Sequence, residues 1–450
     1  CGGGAAGFDV RGSRLTRGRG GGGAEAGAEM VGGTARLPQR DGEGEGWRVE
    51  VALDGGGRAE IVPGWVLDCT GRAGVLARRY RVMESGAPTL AVVRRYRKEG
   101  GWDNVDTAHA LVESFERGWA WSVPTSNEER HVALMVDPRL QAVMEGAADL
   151  STAFEAEVDN TALMSSITKP AAPIGDAWAV TASMYTSSEF APGRALLVGD
   201  AASFADPMSS YGVKKALASG WLAAIAVNTS IRTPELAATA TEFFSRRERA
   251  MYRSLRDGLA VQVARTGVGG GDAEAQGAER DPRPTGDGAA EVAASVADRF
   301  WEKRASWLAD RPGDAGDASD ANTPDGPDAE ALRDDAEVRA AFHALRLGSG
   351  RLRIGSRSTT QRPVVIGNRI RMAPALVTPR FPRGVRYFRD VDLLRVVHLA
   401  PGCGNPGVLY ESYQEWAARE DLPPVDLANF IGVIALMVAD RVLVPGGGGA

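Results

Sequence analysis

The chain contains few cysteines and few lysines for its length. Three of its 450 residues are cysteine, and only five of its 52 Lys and Arg residues are lysine. Three cysteines exclude the disulfide framework of a small secreted domain, so we expect a reducing, cytoplasmic location. The formal net charge of -6 argues against a general nucleic-acid binder. Because lysine is scarce, the adjacent pair Lys214 and Lys215 calls for an explanation.

Long apolar runs are also absent. The run "IGVIALMVA" at residues 431–439 is much shorter than the roughly 20 residues that span a bilayer. We therefore expect a core helix there and no association with a membrane. The histidines have no metal-ligand spacing, so we expect no metal site. They are His109, His131, His343 and His398.

The hydrophobic pattern changes along the chain. Strand-like alternation dominates residues 26–84 and returns, with one helical stretch, in 85–190, which predicts an antiparallel sheet. An apolar strand at 195–202 precedes helical patterns at 212–231 and 236–265. A mixed α/β fold is therefore expected. The predicted segments are 1–84, 85–190, 191–265, 266–337 (with low-complexity tracts at 267–290 and 309–328 around one helix) and a C-terminal module at 338–450.

One segment, "LLVGDAASFADPMSSYG" at residues 196–212, joins the end of a predicted strand to the start of a predicted helix. An aspartate at the carboxyl end of a parallel strand can accept hydrogen bonds from hydroxyl groups of a ligand. The N–H groups at the start of the following helix attract anionic groups. Asp200 and Gly212 therefore mark a candidate ligand site.

Five segments, in this order, resemble the motifs of one enzyme superfamily. They are "FDVRGSRLTRGRGGGGAEAGAEM" (8–30), "VLDCTGRAGVLARR" (66–79), "GWAWSVP" (118–124), the 196–212 segment and "RFWEKR" (299–304). Over about residues 8–310 the chain resembles the tryptophan-halogenase-like branch of the flavin-dependent monooxygenase superfamily. The resemblance implies a doubly wound FAD-binding domain with an inserted antiparallel sheet and a mostly helical C-terminal extension.

The same resemblance implies roles for individual residues. Asp200 would hydrogen-bond the ribityl chain of FAD, and Asp206 with Pro207 would shape the turn under the isoalloxazine ring. Gly199, Ala201 and Ala202 would let the backbone approach the pyrophosphate. Tyr211 and Gly212 would lie near the pyrimidine end of the flavin, with its halide. Asp68 and Gly71 would lie near the adenosine.

The sequence departs from the family pattern in two places. The first residues, "CGGGAAG", are neither preceded by a strand nor followed by a helix, so their glycines do not form the family's dinucleotide motif. We therefore expect that the chain begins inside a larger protein, lacks the first strand, the first helix and the catalytic lysine of the family, and binds FAD poorly by itself. Ser209 stands where indole halogenases have a glutamate, which argues against an indole substrate.

Two pairs of residues have alternative interpretations. Trp119 and Trp121 alternate on one predicted strand and face the same side, where they either separate flavin from substrate or pack as core aromatics. Lys214 either faces the flavin, where it would stabilise the reduced anion, or faces solvent. For Lys215 we expect a solvent-facing position near acids such as Glu189. The candidate catalytic residues are Lys214, Trp119, Trp121 and Ser209.

The resemblance implies an FAD-dependent oxidoreductase that uses reduced flavin and O2 to halogenate or monooxygenate an aromatic, natural-product-like molecule, with a separate flavin reductase as partner. Two other functions stay open: a flavin-dependent reductase of isoprenoid-type double bonds, and a non-catalytic fragment with a partner-binding tail. Residues 351–395 contain eleven arginines and two acids. This segment is either a solvated sheet face or a site for an acidic partner such as a carrier protein.

Overall fold

The computed structural model describes most of the chain, in several stretches. These are residues 26–42, 44–84, 88–102, 110–138, 149–265, 332, 335–347, 350–420 and 422–445. The predicted low-complexity tracts, the helix between them, His109, and the segments 8–25 and 299–304 lie outside the described residues. The described residues divide into two compact units. The first contains the described residues up to 223 and 244–265, and the second contains 224–243 and those from 332 to 445.

Short strands make up most of the chain before residue 200. They are β1 (Gly33–Ala35), β2 (Gln39–Arg40), β3 (Trp47–Leu53), β4 (Arg58–Ile61), β5 (Val66–Asp68), β6 (Arg81–Met83), β7 (Leu90–Arg97), β8 (Leu111–Phe115), β9 (Gly118–Pro124), β10 (Glu129–Val136), β11 (Ala172–Thr181), β12 (Tyr185–Ser187) and β13 (Ala195–Leu197). The helices up to residue 265 are α1 (Leu150–Val158), α2 (Leu163–Thr168), α3 (Gly212–Arg232) and α4 (Ala237–Arg265). The helices expected at 212–231 and 236–265 are thereby confirmed, whereas α2 was not predicted.

The strand pairing separates a large antiparallel sheet from a parallel pair. The large sheet has the order β11-β7-β10-β9-β8, as the alternation in residues 85–190 predicted. In a smaller antiparallel sheet β3 pairs with β1, β2 and β4, while β12 and β6 form a separate two-stranded antiparallel sheet. Strand β13 pairs with β5, and among the described strands this is the one parallel pairing. It places the carboxyl ends of both strands at one edge, where the candidate site lies.

The large sheet is packed on both of its faces. On one face Leu134 of β10 lies in a cluster with Phe154 of α1. On the other face Met135 lies with Trp119 of β9 and Tyr252 of α4. Neighbouring residues of a strand point to opposite faces, so the two apolar faces follow from the sequence of β10. Both faces being covered, the sheet is a rigid support for the residues that it carries.

The second unit combines a hairpin, short strands and helices. Its further elements are β14 (Leu352–Ile354), β15 (Ser358–Ile366), β16 (Arg369–Val377), β17 (Tyr387–Phe388), β18 (Val391–Asp392), β19 (Leu443–Pro445), α5 (Ala336–Leu347), α6 (Leu393–Leu399), α7 (Pro406–Arg419) and α8 (Leu427–Ala439). Asn405 caps α7 by accepting the Val408 N–H, and Asp426 caps α8 in the same way. The apolar run at 431–439 lies in α8, whose Val433 and Ile434 are fully buried, so the core-helix prediction is confirmed.

Two arginines of the segment 351–395 are paired with acids in the structure, and both interpretations of the segment as a whole stay predictions. Arg380 pairs with Asp335, Glu337 and Asp440. Arg386 pairs with Asp392. The acids that balance these arginines come largely from outside the segment, so the local count of charges was misleading.

Candidate functional site

The candidate site lies where the two parallel strands end. In the β5–β13 pair Leu197 stands opposite Asp68, and the Val198 N–H donates to the Asp68 carbonyl at 3.0 Å. A single helical turn follows each strand, Gly71–Ala73 after β5 and Gly199–Ala201 after β13. Ligands of open α/β sheets bind at this end of the strands. The structure thus brings together two motifs that are far apart in the sequence.

Asp68 is buried, and its carboxylate accepts hydrogen bonds from the loop that follows β5. Oδ2 accepts the N–H groups of Leu76 and Ala77, both at 2.8 Å. Oδ1 accepts the N–H and the hydroxyl of Thr70 at 3.1 and 2.5 Å. These donors occupy both oxygens, so Asp68 holds the loop after β5 in shape. Its nearness to an adenosine stays a prediction, as does that of Gly71.

Residues Gly199–Ser203, called the Gly-Asp turn below, approach helix α3 closely. Gly199 has a φ of +61°, and a Cβ at this position would lie 3.1 Å from the Ala216 side chain. The Gly199 N–H donates to Ser219 Oγ at 3.0 Å. A larger residue would be strained both by its backbone conformation and by the helix, so this position requires glycine. The turn also buries Ala201 and Ala202.

The carboxylate of Asp200 stands at the open side of the Gly-Asp turn. Its side chain is 30% exposed. The Asp200 carbonyl accepts the Tyr185 hydroxyl at 2.6 Å, and the Ala202 carbonyl accepts the Ser187 hydroxyl at 2.6 Å. Strand β12 therefore fixes the backbone of the turn and leaves the carboxylate partly accessible. No motif in the sequence pointed to Tyr185.

Lys215 lies inside the unit, and the expectation that it faces solvent near Glu189 was wrong. It is 3% exposed. Its ammonium group donates to the carbonyls of Gly199, at 3.0 Å, and of Ser203, and lies 3.4 Å from Asp200 Oδ1. These acceptors compensate the charge both for lost water and for its unfavourable place near a helix N-terminus.

Glu248 of α4 is a second buried charge behind the Gly-Asp turn. It is 4% exposed and hydrogen-bonded to Ser219. Burial raises the pKa of Glu248 to about 7, although Ser219 and Lys215 act in the opposite direction. Burial also lowers the pKa of Lys215, against the effects of Asp200 and Glu248. Sequence analysis missed Glu248 because nothing in the middle of a long helix marks a buried acid.

Residues Asp206–Ser210, called the Asp-Pro turn below, are shaped by the residues that the motif predicted. Asp206 accepts the Met208 N–H at 3.0 Å and caps a single helical turn that begins at Pro207. Ser209 Oγ accepts the Tyr211 N–H at 3.4 Å. Ser209 therefore has a local structural contact, and its predicted catalytic role remains a prediction.

Helix α3 begins at Gly212, on the open side of the site. A Cβ on Gly212 would meet no atom within 4 Å, and Tyr211 is 41% exposed. Lys214 is exposed, with its ammonium 4.9 Å from the centre of the Tyr211 ring. Lys214 thus stands beside open space at a helix N-terminus, and both interpretations of it remain open.

Trp119 and Trp121 lie on the sheet face that packs against the Asp-Pro turn. Trp119 is 1% exposed in a cluster with Tyr252, and Trp121 and Met208 pack against the same cluster. Their indole N–H groups have no hydrogen-bond partner among the described residues. The shared face was predicted correctly. Trp119 therefore packs as a core aromatic with Trp121 beside it, and their role in separating flavin from substrate stays a prediction.

Arg72 is a cation at the site that sequence analysis missed. Its guanidinium lies 4.1 Å from the centre of the Phe204 ring and donates to the Thr181 carbonyl. Burial lowers the pKa of Arg72, while Tyr185 and Asp200 act in the opposite direction. A basic residue in the glycine turn after β5 was the signal that could have revealed it.

Within the stretches that the structure describes, no group of three or more His, Cys, Asp or Glu side chains is arranged to hold a metal ion. None of the described helices is both long enough and apolar enough to cross a membrane.

Comparison with curated proteins finds flavin-dependent halogenases. The chain is 31% identical over 188 residues to "Flavin-dependent halogenase ascD" of Acremonium egyptiacum, which covers 37% of this chain and 32% of that protein. It is 26% identical over 189 residues to "Tryptophan 2-halogenase" of Chondromyces crocatus, covering 40% and 36%. The chain therefore spans about a third of the length of these relatives. No family model matches the chain.

Among solved structures the chain resembles that of CmlS, a flavin-dependent halogenase. The TM-score is 0.58 at 18% sequence identity, and the match covers 91% of this chain and 73% of that one. At this identity the likeness shows the fold. The α/β fold is thus one that halogenases use, and the resemblance drawn from the motifs is confirmed. These relatives and this solved structure are flavin-dependent halogenases, in agreement with the resemblance to the tryptophan-halogenase-like branch of the flavin monooxygenases.

Proposed function

We propose that this chain carries the Gly-Asp half of the flavin site of an FAD-dependent halogenase or monooxygenase that acts on a small aromatic molecule. The observation that carries the proposal is the Gly-Asp turn. A partly exposed carboxylate stands there on a rigid turn, at the carboxyl ends of two parallel strands. The names of the relatives, flavin-dependent halogenases, support the assignment.

The residues present fit a flavin dinucleotide. The Asp200 carboxylate is an acceptor for ribityl hydroxyl groups, and it is partly exposed. Gly71 and Gly212 both face open space, so a ligand can approach the backbone of their loops. The first N–H groups of α3 and the cation Arg72 favour negative charge, such as that of a phosphate or a reduced flavin. The small residues Ala201 and Ala202 would let the backbone approach the pyrophosphate.

Bound flavin supplies the redox chemistry with O2 that amino-acid side chains lack. The chain's own residues bind it, orient it and exclude water. Trp119 and Trp121 cover the Asp-Pro turn and would keep a bulky substrate from the ring. Lys214 would place a positive charge near the reduced ring. Asp206 and Pro207 hold the turn beneath it.

The proposal includes a cytoplasmic location and a separate flavin reductase. An acidic carrier protein as partner has less support than the arginine count suggested, because Arg380 and Arg386 are paired within the unit. The exposed arginines that such a partner would meet are Arg351, Arg353, Arg357 and Arg371.

The test is product analysis with and without halide. A preparation of the protein that is shown to bind FAD would be supplied with FAD, NADH, a flavin reductase, O2 and a panel of phenols, indoles and isoprenoids. We expect halogenated phenols only when bromide or chloride is present, and little reaction of indoles, because Ser209 replaces the glutamate of indole halogenases. Addition of oxygen without halide would identify a monooxygenase. Saturation of an isoprenoid double bond, or no product from a protein that binds FAD, would contradict the proposal.

A further inference from the structure

Lys215 is a buried lysine whose three N–H groups all meet oxygen atoms of one short segment. The ammonium donates to the carbonyls of Gly199 and Ser203, the first and last residues of the Gly-Asp turn, and reaches Asp200 Oδ1 between them. Burying an ammonium group is costly unless its hydrogen bonds are made. An arrangement that ties both ends of the turn to one charge therefore has a structural consequence: the turn cannot open without leaving a buried charge unpaired.

The contact with Asp200 uses only one of its two oxygens. Lys215 lies 3.4 Å from Oδ1, and the described residues donate no hydrogen bond to Oδ2. With 30% of the side chain exposed, Oδ2 is the atom left for a ligand. The lysine thus restricts rotation of the carboxylate and leaves one acceptor position open.

Glu248 stabilises the same turn indirectly, through Ser219. It is hydrogen-bonded to Ser219, and Ser219 Oγ accepts the Gly199 N–H at 3.0 Å. The N–H of Gly199 is therefore held through Ser219, and its carbonyl through Lys215. The two charges also attract one another. Both polar groups of this glycine are fixed by one buried network.

We infer that Lys215 is a positioning residue, which with Glu248 locks the Gly-Asp turn and presents Asp200 Oδ2 to hydroxyl groups of the ligand. The identity of the ligand as FAD rests on the proposed function, whereas the locking of the turn does not. Lys215 itself touches no reacting atom, so it acts through Asp200. Lys214, its neighbour, has no part in the lock, because it is exposed over the Tyr211 ring.

The experiment compares Lys215→Met, the double variant Lys215→Met/Glu248→Gln, and Lys169→Met as the control at an exposed lysine. Hydrogen exchange at residues 199–203 is measured on ligand-free protein, and FAD affinity by fluorescence titration. Losing hydrogen bonds to a charged group should speed exchange in the turn and weaken FAD binding by about tenfold or more in Lys215→Met. Lys169→Met should match the unmodified protein in both measurements.

The double variant distinguishes two roles of Lys215: positioning the Gly-Asp turn, or only neutralising the charge of Glu248. Since it removes both charges, thermal stability should return toward that of the unmodified protein, while fast exchange and weak FAD binding persist. Restoration of slow exchange together with stability would overturn the inference, because Lys215 would then be only a counter-charge. Unchanged exchange in Lys215→Met would overturn it as well. Loosened turns in a protein that binds no FAD even unmodified would uphold the lock and refute the proposed function instead.

Discussion

Both units of the molecule hold a largely buried cation among acidic groups, and the two clusters differ in whether they are closed. In the second unit Arg380 meets three carboxylates, from Asp335, Glu337 and Asp440. Burial opposes the charge, but these hydrogen bonds outweigh it and raise the pKa of Arg380. For Lys215 in the first unit, burial outweighs Asp200 and Glu248, and the pKa is lowered.

The two clusters differ in the partners that their charged groups have within the protein. All three guanidinium nitrogens of Arg380 donate to carboxylates of its own cluster, which joins residues from distant parts of the unit and serves stability. The Lys215 ammonium donates its hydrogen bonds to the Gly-Asp turn. One oxygen of Asp200 is left without a partner among the described residues. A cluster whose charged groups are paired with one another needs no ligand. A cluster that includes a partly exposed carboxylate at the carboxyl end of a strand is expected to meet a ligand.

Stability should depend most strongly on the Arg380 cluster of the second unit. Arg380→Met leaves Asp440, whose side chain is 1% exposed, as an unpaired buried carboxylate. We expect a loss of about 3–5 kcal/mol in the free energy of unfolding, measured by urea denaturation. The exposed Arg371→Met should change it by no more than about 0.5 kcal/mol. Equal stability of the two variants would show that the Arg380 cluster is not structural.

Substituting the glycine of the Gly-Asp turn should cost less. Gly199→Ala forces a left-handed backbone conformation and brings a Cβ to 3.1 Å from Ala216, so we expect a loss of about 1–3 kcal/mol. Gly71→Ala also has a positive φ, but open space around it, and should lose less. Thermal unfolding of both variants tests this. A loss in Gly71→Ala as large as that in Gly199→Ala would mean that the close approach to α3 is unimportant.

The pH dependence of stability should reveal the buried acid of the open cluster. Burial raises the pKa of Glu248 from 4.5 to about 7. Between these values the folded protein keeps a proton that the unfolded chain has lost, so this contribution to stability is lost as pH rises through that range. Glu248→Gln has no such proton. Its Tm should therefore fall less than that of the unmodified protein between about pH 5 and 7, and parallel curves would contradict the assignment.

The smallest effect is expected at Lys214. If it faces the flavin, Lys214→Met removes a charge that stabilises the reduced anion, and the reduction potential of bound flavin falls. Because Lys214 is exposed, its charge is worth about 0.2–1 kcal/mol, or about 5–20 mV for two electrons. Lys169→Met is the matched control. Identical potentials in both variants would place Lys214 in solvent only.

Much of the fold could be predicted from the sequence, because the pattern of apolar residues reports local structure. The alternation in β9 and β10 and the spacing in α3 and α4 predicted the large sheet and both helices. The short helix α6 was missed because its seven residues are too few to show helical periodicity.

The candidate site was predicted only in part. The motif indicated Asp200, Gly199 and Asp206, since each owes its type to the local turn. Lys215 and Glu248 could not be placed, because their burial depends on contacts between distant residues, such as that of Glu248 with Ser219, and not on neighbours in the sequence. The rule that lysine avoids a helix N-terminus failed for Lys215, because carbonyls of the preceding turn accept hydrogen bonds from its ammonium group.

If Asp200 at the Gly-Asp turn holds the cofactor, FAD titration of two aspartate variants should show it. Asp200→Ala removes the acceptor at the strand edge, and Asp176→Ala removes an exposed carboxylate in β11 of the same unit. We expect Asp200→Ala to weaken FAD binding by about tenfold or more and Asp176→Ala to leave it unchanged. Equal FAD affinity of both variants and the unmodified protein would contradict this expectation.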